Sequence, residues 1–359
     1  MSGNISTQLL RFILYHNIVL FINILTTNRF CKCELFAIKA LLCIIIVAQG
    51  EMTMKKMFLI ITVVVSSLIL SACSNKSYDI VTTLYPQYDI IRTIVGDKDL
   101  SYTLLLPPGA EAHGFEPTPK QKGLIEASKL FIYTSEELEI WAINSTNKGD
   151  VVDLETLTEL AHDHAHGEST DEHDHEDHQD VHYWVSLHAQ IHMIEAILPL
   201  IVKLDPANEA YYTKNAEAMI ASIRTLRTSF DALENKSTPI YFIGHNVFSS
   251  LNEELGFNVI SLTDSFSPDA DPTIEQIGSM IEAIKNSNSK YIFFDPFEND
   301  ALAKTIQSDL KTKYAIEVAL LPLHSMHNVS KSQYDSKITL IDLWDANFTN
   351  ISKELQKEV

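Results

Sequence analysis

The sequence predicts an α/β protein of two (β/α) lobes, each built on a parallel sheet, joined by one long rigid α-helix. Three observations carry this expectation. The chain has 359 residues, enough for about two domains with cores of their own. Short apolar runs alternate with helical segments at the pitch of βα units, which favours parallel strands. Between two such sets lies a stretch from Ala207 to about Asn235 that contains neither Gly nor Pro and carries one apolar stripe.

The first 50 residues are apolar and irregular, and the pair Cys31 and Cys33 has no second half that would complete a thiolate site. A cleaner beginning follows. Met54-Lys55-Lys56 is a positive n-region, Phe58 to Leu70 an apolar h-region, and Leu70-Ser71-Ala72-Cys73 resembles a bacterial lipobox. The run from Met57 to Ala72 is short for a bilayer span. We expect residues 1–53 to reflect an upstream start codon, residues 1–72 to be removed, and Cys73 to be diacylated. The product is then extracytoplasmic, lipid-anchored to the bacterial cell membrane without crossing it. All four Cys lie at or before Cys73, so the rest of the chain has no disulfide framework. A net charge of -20 argues against nucleic acid and anionic membrane surfaces as ligands, and favours cations.

The N-terminal lobe is expected over residues 73–203. Tyr78 to Leu84 reads as a buried strand, the segment to Val95 as helical, Tyr102 to Leu106 as a second strand, Gln121 to Ser128 as helical and Leu130 to Tyr133 as a third strand. After the second strand comes a Pro/Gly-rich loop with His113, at the carboxyl side of the strands where ligands sit in such folds. Taken alone, His113 fits an exposed loop histidine as well as a ligand.

A tract over 161–179 holds His162, His164, His166, His173, His175 and His178 among Asp and Glu, with no apolar residue from Gly167 to Asp180. It cannot bury itself and reads as a solvated loop. With His182, seven of the chain's 14 histidines fall here, which favours metal binding over an acidic loop rich in His by chance. His182 differs from the tract. Tyr183-Trp184-Val185 beside it implies a packed setting, where a ring nitrogen needs a partner such as a metal. His188 and His192 follow at helical spacing and read as surface or supporting residues.

The connector is expected over 204–236, with Asp205 as N-cap and Pro206 opening the helix. Tyr212, Ala216, Met219, Ile223, Leu226, Phe230 and Leu233 form its stripe. Roughly 30 residues would span about 45 Å. In the C-terminal lobe (237–359), Ile240 to Ile243 is a strand ending at Gly244-His245, with a helix beginning near Val247. Asn258 to Leu262 and Tyr291 to Phe294 are further strands, the latter ending at Asp295. Val318 to Leu323 runs into His324-Ser325-Met326-His327. Histidines that gather where strands give way to loops suggest a site assembled between sheets.

At these residues the chain resembles the metal-binding lipoproteins of bacterial ABC importers for zinc and manganese. The likeness runs through Pro108-Gly109-Ala110…His113, the acidic histidine insertion, Asp180-Val181-His182-Tyr183-Trp184, Asp205-Pro206…Tyr212…Asn215-Ala216, Gly244-His245, Ser267-Pro268…Pro272-Thr273 and Leu323 to Ser330. The resemblance implies two lobes joined by one helix with a metal in the interlobe cleft. It implies Zn²⁺ held by His113, His182 and His245; the manganese members carry Glu at the third position. The fourth position departs from the pattern, because the acidic residue of zinc members falls on His327 and a second, sometimes acidic, on His324. His327 is the expected fourth ligand, with His324 and Asp295 as alternatives or supports.

The expected function is a monomeric high-affinity zinc receptor that hands Zn²⁺ to an ABC permease, the histidine tract acting as a low-affinity collector. Two rivals use the same residues: a zinc hydrolase with Glu111 or Asp295 as general base, for which no His-Glu-x-x-His motif is present, and a surface adhesin on the same fold.

Overall fold

The computed structural model describes residues 77–158, 181–265, 272–297 and 300–356. Cys73 and the tract histidines His162, His164, His166, His173, His175 and His178 lie outside the described residues.

Strands β1 (Ile80–Thr82), β2 (Tyr102–Leu104), β3 (Leu130–Tyr133) and β4 (Asp150–Asp153) form one sheet in the order β2-β1-β3-β4. Strands β5 (Pro239–Phe242), β6 (Asn258–Ser261), β7 (Tyr291–Phe294) and β8 (Ala319–Pro322) form another in the matching order β6-β5-β7-β8. All the pairings are parallel. In both sheets the opening strand lies inside, with connections leaving to either side. That is a topological switch point, where loops beyond the carboxyl ends leave room for a ligand.

Helices α1 (Tyr85–Val95), α2 (Pro119–Ala127), α3 (Leu154–Thr158) and α4 (Leu187–Leu204) belong to the first lobe, and α5 (Glu209–Asp231) connects it to the second. There follow α6 (Ser249–Leu255), α7 (Ile274–Ser287), α8 (Ala301–Tyr314), α9 (Lys331–Asp335) and α10 (Leu340–Leu355). Several starts are set locally: Thr118, Thr273, Ser330 and Thr339 each accept from the amide three residues on, and the side chain there returns the bond.

The connector is shorter than its sequence suggests. Pro206–Asn208 form a 3₁₀ turn, and α5 proper has 23 residues, about 35 Å at 1.5 Å per residue. Asp205 does not cap an amide; its Oδ2 accepts instead from Asn208 Nδ2 and Tyr212 Oη, each at 2.6 Å. At the far end Asn235 takes a left-handed conformation (φ 57°) and turns the chain away. The expected stripe is buried in full, from Tyr212 to Leu233. It packs on α1 and α4 at one end and on α10 at the other. The Phe230 ring meets Trp344, Phe257 and Phe348 edge-on with centroids 5.2–5.8 Å away. One apolar core therefore runs through both lobes, from Ile90 and Ile94 to Phe242 and Trp344.

Polar contacts lock the lobes as well. Asn328 Nδ2 donates to the carbonyls of Pro107 (2.9 Å) and Ala110 (2.7 Å), and the Gly109 amide donates to Val329 O (2.9 Å). Buried Asp89 on α1 accepts the Leu340 amide at 2.7 Å and is paired with Arg92.

Inside the first lobe, Glu139 is buried and accepts the amide of Thr134, while Tyr183 Oη donates to the carbonyl of Thr134 at 3.0 Å. This braces the turn that follows His182. Burial pushes the Glu139 carboxyl up to about 7 despite bonds from Thr83 and Thr134. The folded state thus holds a proton that the unfolded chain gives up near pH 4.5. The stabilising contribution is whole below that pH, shrinks as pH rises, and is lost by about 7, a span of about 3 kcal/mol at most. Glu139→Gln is expected to gain stability relative to the parent at pH 8 but not at pH 4.5, by urea denaturation; an equal difference at both would overturn the assignment. Phe230→Ala is expected to cost about 3–5 kcal/mol in the same assay. A loss under about 1 kcal/mol would show that the connector's end is not held by its aromatic neighbours.

Candidate metal site between the lobes

Four imidazoles reach the gap between the lobes from four different connections. His113 comes from the loop after β2, where Glu111 Oε1 accepts the amides of Ala112 (2.8 Å) and His113 (3.2 Å). His182 immediately precedes the 3₁₀ turn Tyr183–Val185. Trp184 in that turn lies edge-on to His182 with centroids 5.2 Å apart, and its indole donates to Ser325 O across the gap at 3.0 Å. His245 follows β5, in a turn closed by the Leu262 amide donating to Gly244 O at 3.0 Å. A Cβ at position 244 would lie 2.4 Å from the Phe242 ring, so glycine lets the chain pass under that ring. His327 follows β8 with Nδ1 2.6 Å from Ser325 Oγ.

The rings of His113, His182 and His245 form a nearly equilateral triangle, with centroids 5.2, 5.2 and 5.3 Å apart. Their candidate donor atoms lie within 4.8 Å of one another, and His113 Nε2 is 3.2 Å from His182 Nε2. Tetrahedral Zn–N bonds of about 2.0–2.1 Å would set ligand nitrogens about 3.4 Å apart and ring centroids about 5.2 Å apart. The three rings thus already have the spacing of a single zinc ion's ligands. His182 and His245 are buried, and His113 is partly so. Burial, helped by the neighbouring rings of His182, His245 and His327, pushes His113 down to about 2. A ring that resists protonation keeps the lone pair a metal needs.

His327 stands further off, with its centroid 6.4 Å from that of His113. It is fully buried, and its Nε2 makes no hydrogen bond among the described residues. Glu111 Oε1 is 3.9 Å away. With Nδ1 engaged by Ser325, this Nε2 is the atom left to face the gap. Asp295 lies behind it: Oδ2 accepts the Ser325 amide at 3.0 Å and Oδ1 the Phe297 amide at 2.9 Å. Asp295 shapes the loop that presents His327, and both its oxygens are occupied. His324 is not among the converging rings. Its backbone exchanges two bonds with the Asn347 side chain, and burial holds its imidazole below the usual histidine range. His188 and His192 lie on α4 and face one another rather than the gap.

Sequence reasoning overlooked the part played by Ser325, and saw Trp184 as packing beside His182 but not its bond to Ser325. Ser325 touches three site elements at once through its hydroxyl, amide and carbonyl. Its only signal was a hydroxyl two residues before His327. A set of imidazoles without carboxylate or thiolate suits borderline ions such as zinc and suits Mn²⁺ poorly.

The chain is 29% identical over 311 residues to the high-affinity zinc uptake system protein ZnuA of Bacillus subtilis (strain 168), covering 80% of this chain and 94% of that one. It is 28% identical over 307 residues to the zinc-binding lipoprotein AdcA of Streptococcus pneumoniae (strain ATCC BAA-255 / R6), where 80% of this chain spans 59% of the longer relative. The crystal structure of the Zn(II)-bound ZnuA-like domain of S. pneumoniae AdcA shares the fold, with a TM-score of 0.62 at 21% identity over 79% of this chain and all of that one (100%). The profile of the family described as "Zinc-uptake complex component A periplasmic" matches residues 80–354, nearly all of both lobes, and the chain therefore belongs to the ZnuA family.

Proposed function

We propose that this protein is a high-affinity extracytoplasmic zinc receptor that captures Zn²⁺ between its lobes and delivers it to the permease of an ABC importer. The observation that carries this is the triangle of His113, His182 and His245, three rings from both lobes spaced for one ion. The names of the relatives, a zinc uptake protein and a zinc-binding lipoprotein, support it. His113, His182 and His245 supply three donors, and His327 closes the shell as the fourth. Ser325 fixes the tautomer of His327, and Asp295 steadies Ser325.

The receptor is a monomer tethered by a diacylated Cys73, with lobes over 73–203 and 237–359 about the connector at 204–236. It is not an enzyme. Hydrolysis at such a site needs a carboxylate free to take a proton from metal-bound water. Among the described residues no carboxylate joins the three converging rings, and both oxygens of Asp295 are directed at backbone amides. Loading involves local loop movement rather than wide opening, because core packing and hydrogen bonds bind the lobes together. The tract over 161–179 raises the local zinc concentration at the cleft.

His113→Ala, His182→Ala and His245→Ala are each expected to weaken zinc binding about a hundred- to a thousandfold, measured by competition with a chelating dye on chain beginning at Cys73. Near-parental affinity in any one would remove that ring from the site, and in all three would end the proposal. Deleting residues 161–179 is expected to slow zinc-limited growth while leaving the tight affinity within about twofold; a collapse of that affinity would place the tract in the site itself.

A further inference from the structure

We propose a second metal site, separate from the interlobe gap: His188 and His192 form an exposed two-imidazole chelate for borderline divalent cations such as Zn²⁺, Cu²⁺ and Ni²⁺ at the start of α4. The two residues are four apart on one helical face, where side chains of successive turns meet. Their Nε2 atoms lie 3.2 Å apart, and their rings cross at 72° with centroids 4.4 Å apart. The nitrogen separation equals that between His113 and His182 and is close to the roughly 3.4 Å spanned by two imidazoles on one tetrahedral zinc. The other nitrogen of His192, Nδ1, lies 4.0 Å from Glu195 Oε2. A carboxylate on that side favours the proton on Nδ1 and leaves Nε2 its lone pair.

The helix start is fixed independently of any ion. Ser186 caps α4 through the Ala189 amide, while Glu254 accepts the Ser186 hydroxyl at 2.8 Å and the His188 amide at 3.1 Å, with Arg227 3.5 Å away. Glu254 is thus committed to the backbone and to Arg227, and the chelate consists of the two rings. His188 is exposed and the His192 side chain is 36% exposed, so water completes the coordination. Such a site exchanges readily and follows the general order of affinities, Cu²⁺ above Ni²⁺ and Zn²⁺.

The test separates this site from both the interlobe gap and the histidine tract. In full chain with His162, His164, His166, His173, His175 and His178 replaced by Asn, equilibrium dialysis against Zn²⁺ is expected to give two ions per chain. His188→Ala or His192→Ala should reduce this to one, with the tight affinity unchanged. His245→Ala should instead remove the tight ion and leave the weak one, so failure of the interlobe reading would not be mistaken for failure of this one. Crystals of the parent chain soaked in Zn²⁺ should show anomalous density about 2.0–2.1 Å from both Nε2 atoms. A single ion in the tract-substituted chain, a second ion indifferent to both alanine variants, or density on neither or only one ring would overturn the proposal.

Discussion

Three imidazole rings packed into one desolvated gap impose the constraint on which the rest of the architecture depends. A proton on His113 would place a cation against two neighbouring rings about 5 Å away. The depressed affinity of His113 for protons expresses this directly. Neutral rings at such spacing are poor hosts for protons and good hosts for a soft-to-borderline cation. The scaffold's task is to hold them there from separate loops.

It does so by making the two lobes share a core. The stripe of α5 is buried along its whole length, against α1 and α4 and then against Trp344 and Phe348 of α10. The gap is edged by hydrogen bonds: the Gly109 amide to Val329 O, the Asn328 side chain to the Pro107 and Ala110 carbonyls, and the Trp184 indole to Ser325 O. A wide hinge motion would break these contacts together and expose apolar surface along the connector. Movement of the His113 and His327 loops as a pair keeps the bonds between them, Gly109 to Val329 and Asn328 to Pro107 and Ala110, and parts only Trp184 from Ser325. The four connections that bear histidines are thus differently constrained, with His182 and His245 on braced turns and His113 on a partly exposed loop.

Much of this was legible in the sequence, for physical reasons. Seven of the eight parallel strands are short apolar runs, whereas β4 (Asp150–Asp153) is bounded by Asp and does not read as a strand, and the connector's period survives because every position of its stripe is buried. Its ends were harder to read. Asp205 has the residue type of an N-cap but spends its carboxylate on Asn208 and Tyr212, and Asn235 ends the region through a left-handed turn that periodicity does not encode. The convergence of His113, His182 and His245 was foreseen by family resemblance. Residue pattern alone placed them near loops and left His113 ambiguous. Ser325 and Asp295 show the remaining limit: a serine's hydroxyl partner and the direction of a carboxylate depend on loop geometry, which no local signal specifies. Asp295 looked like a possible ligand because it ends a strand, and it turns instead toward two amides.

The histidines also differ in how they could hold an ion, and burial decides the difference. In the gap, desolvation and fixed loops remove most of the ordering that binding would otherwise require, so affinity is set by preorganisation. On the face of α4 the same 3.2 Å spacing of nitrogens is exposed to water and supported only by the helix. On the proposed assignments, identical donor chemistry would give a tight, slow site in one place and a weak, fast one in the other. The net charge of -20 acts on both by drawing cations toward the surface, but it cannot distinguish zinc from calcium or magnesium. That discrimination belongs to the imidazoles, since hard cations prefer oxygen donors and find none converging with the three rings among the described residues. Attraction and selection are thus carried by different parts of the molecule, and a carboxylate substituted for one of the buried rings would weaken the second while scarcely changing the first.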